Sequence, residues 1–242
     1  MKKHLITGIT GQDGLFLVKK ILEEEENPLI FGISRNVDGI NFYKNLKSLE
    51  IENIENVKLF NLNLIDSLET SYFIKEHSPD NIYNLTGPSS PYESIQNPEK
   101  YKQIETIFDN LTDALIENKH FANFYQASSS EMFENNDRTK LNELSKFNPK
   151  SPYAKYKFRN HLKVLELRRQ FDWNISSGIM FNHESEFRKE KYLFKKVINS
   201  ALKIKNKQLQ KLEVGSLDYV RDWSFAGDIS EAIYKISNHG KS

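Results

Sequence analysis

Short apolar runs alternate with longer amphipathic stretches along most of the chain. The runs His4–Gly8, Leu29–Ser34, Val57–Leu62, Asn81–Leu85, Ala122–Ala127 and Asn174–Met180 read as strands. Each is brief and bounded by polar or glycine-bearing segments, as strands covered on both faces are. Helical spacing predicts helices near Gly14–Glu26, Leu68–Glu76, Pro98–Asn118 and Pro152–Phe171, with Asp66-Ser67 and Asn97-Pro98 as helix-start chemistry. Beyond Asn182 the pattern shifts to a basic helix around Lys191–Lys205, a short strand Leu212–Gly215 and a helix near Asp228–Ser237. This alternation predicts an α/β fold with a doubly wound parallel sheet. The shift in pattern divides the chain into a sheet-bearing part, 1–182, and a smaller C-terminal part, 183–242.

In such a sheet, ligands bind outside the carboxyl ends of the strands. Gly8–Gly14 follows the first strand, Leu85–Ser89 the fourth, Ser128–Glu131 the fifth and Asn182–Ser185 the sixth, so all face one crevice. Gly8, Gly11 and Gly14 form G-x-x-G-x-x-G between a strand and a helix, a Rossmann-like dinucleotide turn. Glycine there permits the tight turn and lets backbone N–H groups reach a pyrophosphate at the positive helix end. The tip of the second strand reads Gly32-Ile33-Ser34-Arg35. NAD binders usually carry an acid there for the ribose hydroxyls. Here Ser34 takes that place, and Arg35 offers forked donors to a 2′-phosphate, which favours NADP; Asp38 nearby counts against it.

Tyr153 and Lys157 are four residues apart, so on a helix they share a face. An ammonium beside a phenol favours the phenolate and lets it act as a base near neutral pH. Ser129, upstream at a strand end, can donate to the same substrate oxygen. Glu131, two residues further on, adds an acid that alcohol oxidation alone does not require.

Composition acts mainly by exclusion. Lys plus Arg number 34 and Asp plus Glu 33, a net charge of +1, which gives neither a nucleic-acid footprint nor a polybasic membrane patch. The absence of cysteine removes disulfides, thiolate nucleophiles and Cys-based zinc sites, and the six histidines show no metal-ligand spacing. No stretch approaches the length of a membrane span or a signal-peptide core, so a cytoplasmic protein is expected.

The stretches 6–14 (ITGITGQDG), 82–85 (IYNL), 123–133 (NFYQASSSEMF), 150–157 (KSPYAKYK), 178–185 (GIMFNHES) and 214–223 (VGSLDYVRDW) closely resemble the GDP-mannose 4,6-dehydratases, an extended branch of the short-chain dehydrogenase/reductases. The resemblance implies a lyase of nucleotide-sugar metabolism, with Ser129, Glu131 and Tyr153 catalytic and Lys157 supporting Tyr153. It implies cofactor contacts from Gly8, Ile9, Thr10, Gly11, Gln12, Asp13 and Gly14. Further contacts are expected from Arg35, Asn63, Leu64, Leu85, Thr86, Gly87, Ser89, Tyr101, Lys157, His183 and Arg188. Asn182, Lys196 and Arg221 are the candidates for holding the nucleotide sugar, and the chain is expected to form a homodimer or homotetramer. The implied chemistry oxidises C4 of a hexose, removes the C5 proton through Glu131, expels water from C6 and returns hydride there.

The chain also departs from that family. Thr86-Gly87-Pro88-Ser89-Ser90-Pro91 places two prolines in the loop after the fourth strand, Asn63 replaces an acid, and Glu186-Phe187-Arg188-Lys189 replaces a Pro-Arg-Arg-Gly run. Family members continue well past the Arg-Asp-Trp segment, so the resemblance implies an NADP-binding Rossmann domain at 1–182 and a reduced C-terminal substrate-binding portion at 183–242. Two alternatives therefore stand beside the dehydratase: a nucleotide-sugar epimerase or reductase using Tyr153 and Lys157, and a non-catalytic NADP-binding subunit.

Overall fold

A computed structural model describes residues 1–35, 39–51, 53–134, 140–215, 217–218 and 220–238. Six parallel strands form the main sheet: β1 (Lys3–Thr7), β2 (Leu29–Ile33), β3 (Val57–Phe60), β4 (Asn81–Asn84), β5 (Asn123–Ala127) and β6 (Ile175–Gly178). Their order is β3-β2-β1-β4-β5-β6, the doubly wound arrangement, with its switch point between β1 and β4. Every strand except β5, which ends with its run at Ala127, stops a residue or two before its apolar run does, because the chain turns into the crevice there.

The two faces of the sheet bury separate cores. Leu5, Ile82, Phe124 and Ile175 point to one face, under α3 (Ser67–His77), α5 (Pro98–Glu117) and α6 (Pro152–Phe171). Ile6, Ile30, Tyr83 and Tyr125 point to the other, beneath α1 (Gln12–Glu24), α2 (Gly39–Ser48) and α8 (Ala226–Asn238). Alternate residues serve opposite faces, as the two-residue side-chain period of a strand requires. Asp66 caps α3 by accepting from the Leu68 and Glu69 amides at 2.9 and 3.0 Å, as the helix-start chemistry predicts.

The C-terminal part holds two strands, β7 (Asn182–Glu184) and β8 (Trp223–Phe225), paired in parallel as a second small sheet. Between them lies α7 (Leu193–Lys205), which leaves Leu193, Phe194, Val197, Ile198 and Leu202 exposed. The expected strand at Leu212–Gly215 is absent: that segment is irregular, and the Glu213 carbonyl accepts from Lys196 Nζ at 2.9 Å. Among the described residues no strand pairs with it, so its alternation finds no edge. Helix α8 returns to the main sheet and packs against α1. Among the described residues no helix is long and apolar enough to cross a membrane.

Candidate active site

A groove of about 560 Å³ opens at the carboxyl ends of β1, β2 and β4. Its floor is the glycine turn. Gly8 adopts φ +72°, donates to the Ile33 carbonyl at 2.9 Å and accepts from the Gly11 amide at 2.9 Å. A Cβ at Gly14 would lie 2.4 Å from the Ile9 carbonyl oxygen, so only glycine lets the turn close this tightly onto α1. Gly11 caps α1 without any side-chain bond, which leaves first-turn N–H donors facing the groove.

The groove wall also includes Thr10, Gln12, Asp13, Arg35, Asn63, Leu64, Leu85, Thr86, Gly87, Ser89 and Arg188. Among the described residues, two of its polar atoms lack a hydrogen bond. Thr86 Oγ1 is buried without a partner, and Arg188 Nε lies 3.4 Å from Glu184 Oε2, too poorly aligned for a hydrogen bond. These donors, the open helix end and the glycine cradle fit a dinucleotide phosphate chain. Asp38, which the sequence sets near Arg35, lies outside the described residues.

Several residues that the resemblance implies as cofactor contacts stand behind the groove rather than on its surface. Ile9 is buried in the core, and Tyr101 is buried against Tyr153 with its hydroxyl 3.5 Å from Glu93 Oε2. His183 bonds Asp13 Oδ1 at 3.0 Å and the Phe181 carbonyl at 2.7 Å. Asp13 raises its pKa against the opposing effect of burial. Gln12 links the same elements, donating to the His183 carbonyl and accepting from Ser185 Oγ, both at 3.0 Å. β7 therefore braces the glycine turn.

At the end of β5 the chain enters a short turn, Ser130–Met132, capped by Ser129 Oγ, which accepts from the Glu131 amide at 3.3 Å. Opposite it, α6 begins with Ser151 capping through the Ala154 amide at 3.1 Å. Tyr153 and Lys157 project from its first turns and are 7% and 5% exposed. Burial drives the Tyr153 phenol up to about 12. The Ser129 hydrogen bond opposes that rise, and the negative charge of Glu131 adds to it. Both Ser129 and Glu131 therefore act on this phenol. Burial lowers Lys157 to about 8, and its Nζ lies 5.9 Å from the Tyr153 ring centre and donates to the Ala127 carbonyl at 2.7 Å. Here burial outweighs the ammonium effect expected from Tyr-x-x-x-Lys spacing, because Lys157 is bonded to backbone rather than to the phenol.

The candidate substrate residues are dispersed. Asn182 opens β7, Lys196 on α7 bonds the Glu213 carbonyl, and Arg221 lies in the loop before β8 with Nη1 3.0 Å from the Val220 carbonyl. Neither Lys196 nor Arg221 lines the groove.

Sequence reading missed α4 (Pro91–Gln96) and a set of residues around it. Ser90 caps α4 by accepting from the Glu93 amide at 3.2 Å, and Pro91 takes the first helical position. The second proline of the unusual loop is thus a helix start. From α4, Ser94 Oγ accepts the Tyr153 amide at 3.2 Å and anchors the start of α6. Tyr192 bonds Ser89 at 2.7 Å, Lys191 bonds Glu93 at 2.7 Å, and Arg188 stacks 3.7 Å over the Tyr192 ring. The segment after β7 thereby ties the glycine-turn side of the groove to its far wall. A tyrosine and a lysine among many gave no local signal of this.

The family description GDP-mannose 4,6 dehydratase matches residues 5–242. A GDP-mannose 4,6 dehydratase of Drosophila melanogaster is 32% identical over 96% of this chain and 60% of its own length. One from Cricetulus griseus is 35% identical over 96% of this chain and 64% of its own. The chain thus spans under two thirds of these relatives. Among solved structures, a UDP-N-acetylglucosamine 4-epimerase from Methanobrevibacter ruminantium superposes with a TM-score of 0.81 at 22% identity, covering 98% of this chain and 73% of that one. A dTDP-glucose 4,6-dehydratase from Bacillus anthracis in complex with NAD gives 0.81 at 19% identity, covering 100% and 73%. At these identities the likeness bears on the fold alone. Residues 5–242 match the family from the first strand onward, and the chain belongs to the GDP-mannose 4,6 dehydratase family.

Proposed function

We propose that the chain carries the catalytic centre of an NADP-dependent nucleotide-sugar 4,6-dehydratase acting on GDP-mannose. The observation that carries this reading is the acid: Glu131 sits on the turn capped by Ser129, and its charge acts on the buried Tyr153 phenol. An epimerase or reductase has work for Tyr153 and Lys157 but none for a carboxylate beside them.

In this reading Ser129 and Tyr153 hold the C4 hydroxyl, and Tyr153 takes its proton. Glu131 removes the proton from C5, which the new C4 carbonyl acidifies, and delivers it to the C6 hydroxyl, which leaves as water. Lys157 keeps positive charge beneath the phenol. The dinucleotide, when bound, supplies the hydride acceptor and donor and, in its oxidised form, positive charge that lowers the phenol pKa. The Gly8–Asp13 turn and the start of α1 would hold its pyrophosphate, Thr86 and Arg188 would supply donors along its length, and Arg35 would meet a 2′-phosphate.

Glu131→Gln tests the assignment. Dehydration should fall at least roughly a hundredfold while NADP affinity is kept, the scale of loss for a positioned acid or base. Full dehydration by the variant overturns the role of Glu131. Turnover to a C4 epimer without loss of water would favour the epimerase reading.

A further inference from the structure

Thr7, Asn84 and Gln126 are cross-strand neighbours in register on β1, β4 and β5. Each stands at or beside the end of its strand, where the chain enters a loop of the crevice. All three are buried to within 1%. Thr7 Oγ1 bonds Asn84 Oδ1 at 2.7 Å, Asn84 Nδ2 bonds Gln126 Oε1 at 2.8 Å, and Gln126 Nε2 bonds the Ala127 carbonyl at 2.9 Å. The same carbonyl accepts Lys157 Nζ at 2.7 Å.

The direction of this chain follows from its last link. A backbone carbonyl only accepts, so the Gln126 nitrogen must face it and the Gln126 oxygen must face Asn84. Asn84 then presents nitrogen to Gln126 and oxygen to Thr7, which is left as an obligate donor. Every donor points the same way, and each bond polarises the next. The Ala127 carbonyl uses both lone pairs, one on an amide held from three strands and one on the ammonium.

We propose that Thr7, Asn84 and Gln126 are positioning residues for Lys157, a one-way donor chain that pins the Ala127 carbonyl as the fixed acceptor of its ammonium. The position of that charge beneath Tyr153 is thereby tied to the strands that also launch the glycine turn and the Leu85–Ser89 loop. The role rests on Lys157 belonging to the catalytic set. Its test, however, reads Lys157 directly and needs no turnover.

The experiment is an NMR titration of the chain labelled with carbon-13 at the lysine ε position, with the Lys157 signal identified by its loss in Lys157→Arg. In Thr7→Val the Asn84 oxygen loses its donor, the two amides lose the link that fixes their orientation, and the carbonyl is held less firmly. A buried ammonium with a looser acceptor should titrate lower, by about half a unit or more. In Gln126→Glu a carboxylate beside the ammonium should move the titration up by a similar amount. Thr7→Ser restores the hydroxyl and should titrate with the parent. Parent-like titration of Thr7→Val, an upward shift in it, or an equal downward shift in Thr7→Ser overturns the proposal. If Gln126→Glu does not fold, the threonine pair decides alone. Shifts of the expected signs in a protein that dehydrates no nucleotide sugar would remove the functional reading and leave the relay standing.

Discussion

Lys157 is the residue where burial and chemistry meet most sharply. Its ammonium is buried and donates to the Ala127 carbonyl, and burial brings its pKa down to about 8. If the charge is needed beneath Tyr153, kcat/KM should decline above about pH 8, as the free protein loses that proton. Lys157→Arg keeps its charge at any accessible pH and should abolish this alkaline limb, whatever it costs in rate. A parent profile that stays flat through the pH range around and above 8 would remove the ammonium from the mechanism. Tyr153 and Ser129 were legible at this scale because strand-end serine and Tyr-x-x-x-Lys have fixed spacing. The effect of burial on Tyr153 was not legible, since desolvation depends on what α4, α5 and the Ser129 turn pack around the phenol.

At the scale of elements, α4 shows what a short helix can do without hydrophobic periodicity. Six residues are held by the Ser90 cap and Pro91, and the buried Ser94 hydroxyl accepts the Tyr153 amide. Ser94→Ala leaves that amide without its partner at the start of α6 and should lower stability by about 1 kcal/mol, read as a shift in the urea midpoint. A midpoint unchanged from the parent would show that α4 does not anchor the tyrosine. The main-sheet strands were readable because each is a short buried run cut off by turn residues. By contrast, β8 pairs with β7 from about forty residues away, and nothing within Trp223–Phe225 announces that partner. The Leu212–Gly215 segment errs the other way, since local alternation makes a strand only where an edge awaits it. Helix α2 was hidden for a third reason: of its ten residues only Phe42 and Leu46 are buried, too sparse a stripe to stand out.

At the scale of the whole molecule, the first and last described elements are joined by one carboxylate. Glu25, just after α1, bonds His4 of β1 at 2.9 Å, Lys2 at 3.1 Å and the Tyr234 hydroxyl of α8 at 3.0 Å. Lys2 also bonds Asn238 at 2.8 Å. Burial alone would push the Glu25 carboxyl up; the bonds and charges of His4 and Lys2 prevail and hold it at about 2. Because the folded-state pKa lies below the ordinary value of 4.5, the stabilisation is present above that value and is lost as pH falls from there toward 2. The melting temperature should therefore decline through this window, and Glu25→Gln should flatten the decline. Equal acid sensitivity in parent and variant would exclude Glu25 as its source. None of this was visible in sequence, where His4 and Glu25 are simply a strand residue and a helix-end acid.

The account depends most on one claim, that the Ser129 turn places Glu131 to take a proton from the carbon next to the one Tyr153 prepares. Incubation with NADP and GDP-mannose deuterated at C4, followed by NMR of the product, measures this directly. The account predicts a 4-keto-6-deoxy sugar with deuterium at C6 and, in heavy water, solvent deuterium at C5. Deuterium returned to C4 with C6 still hydroxylated, or tight NADP binding without any product, would contradict it.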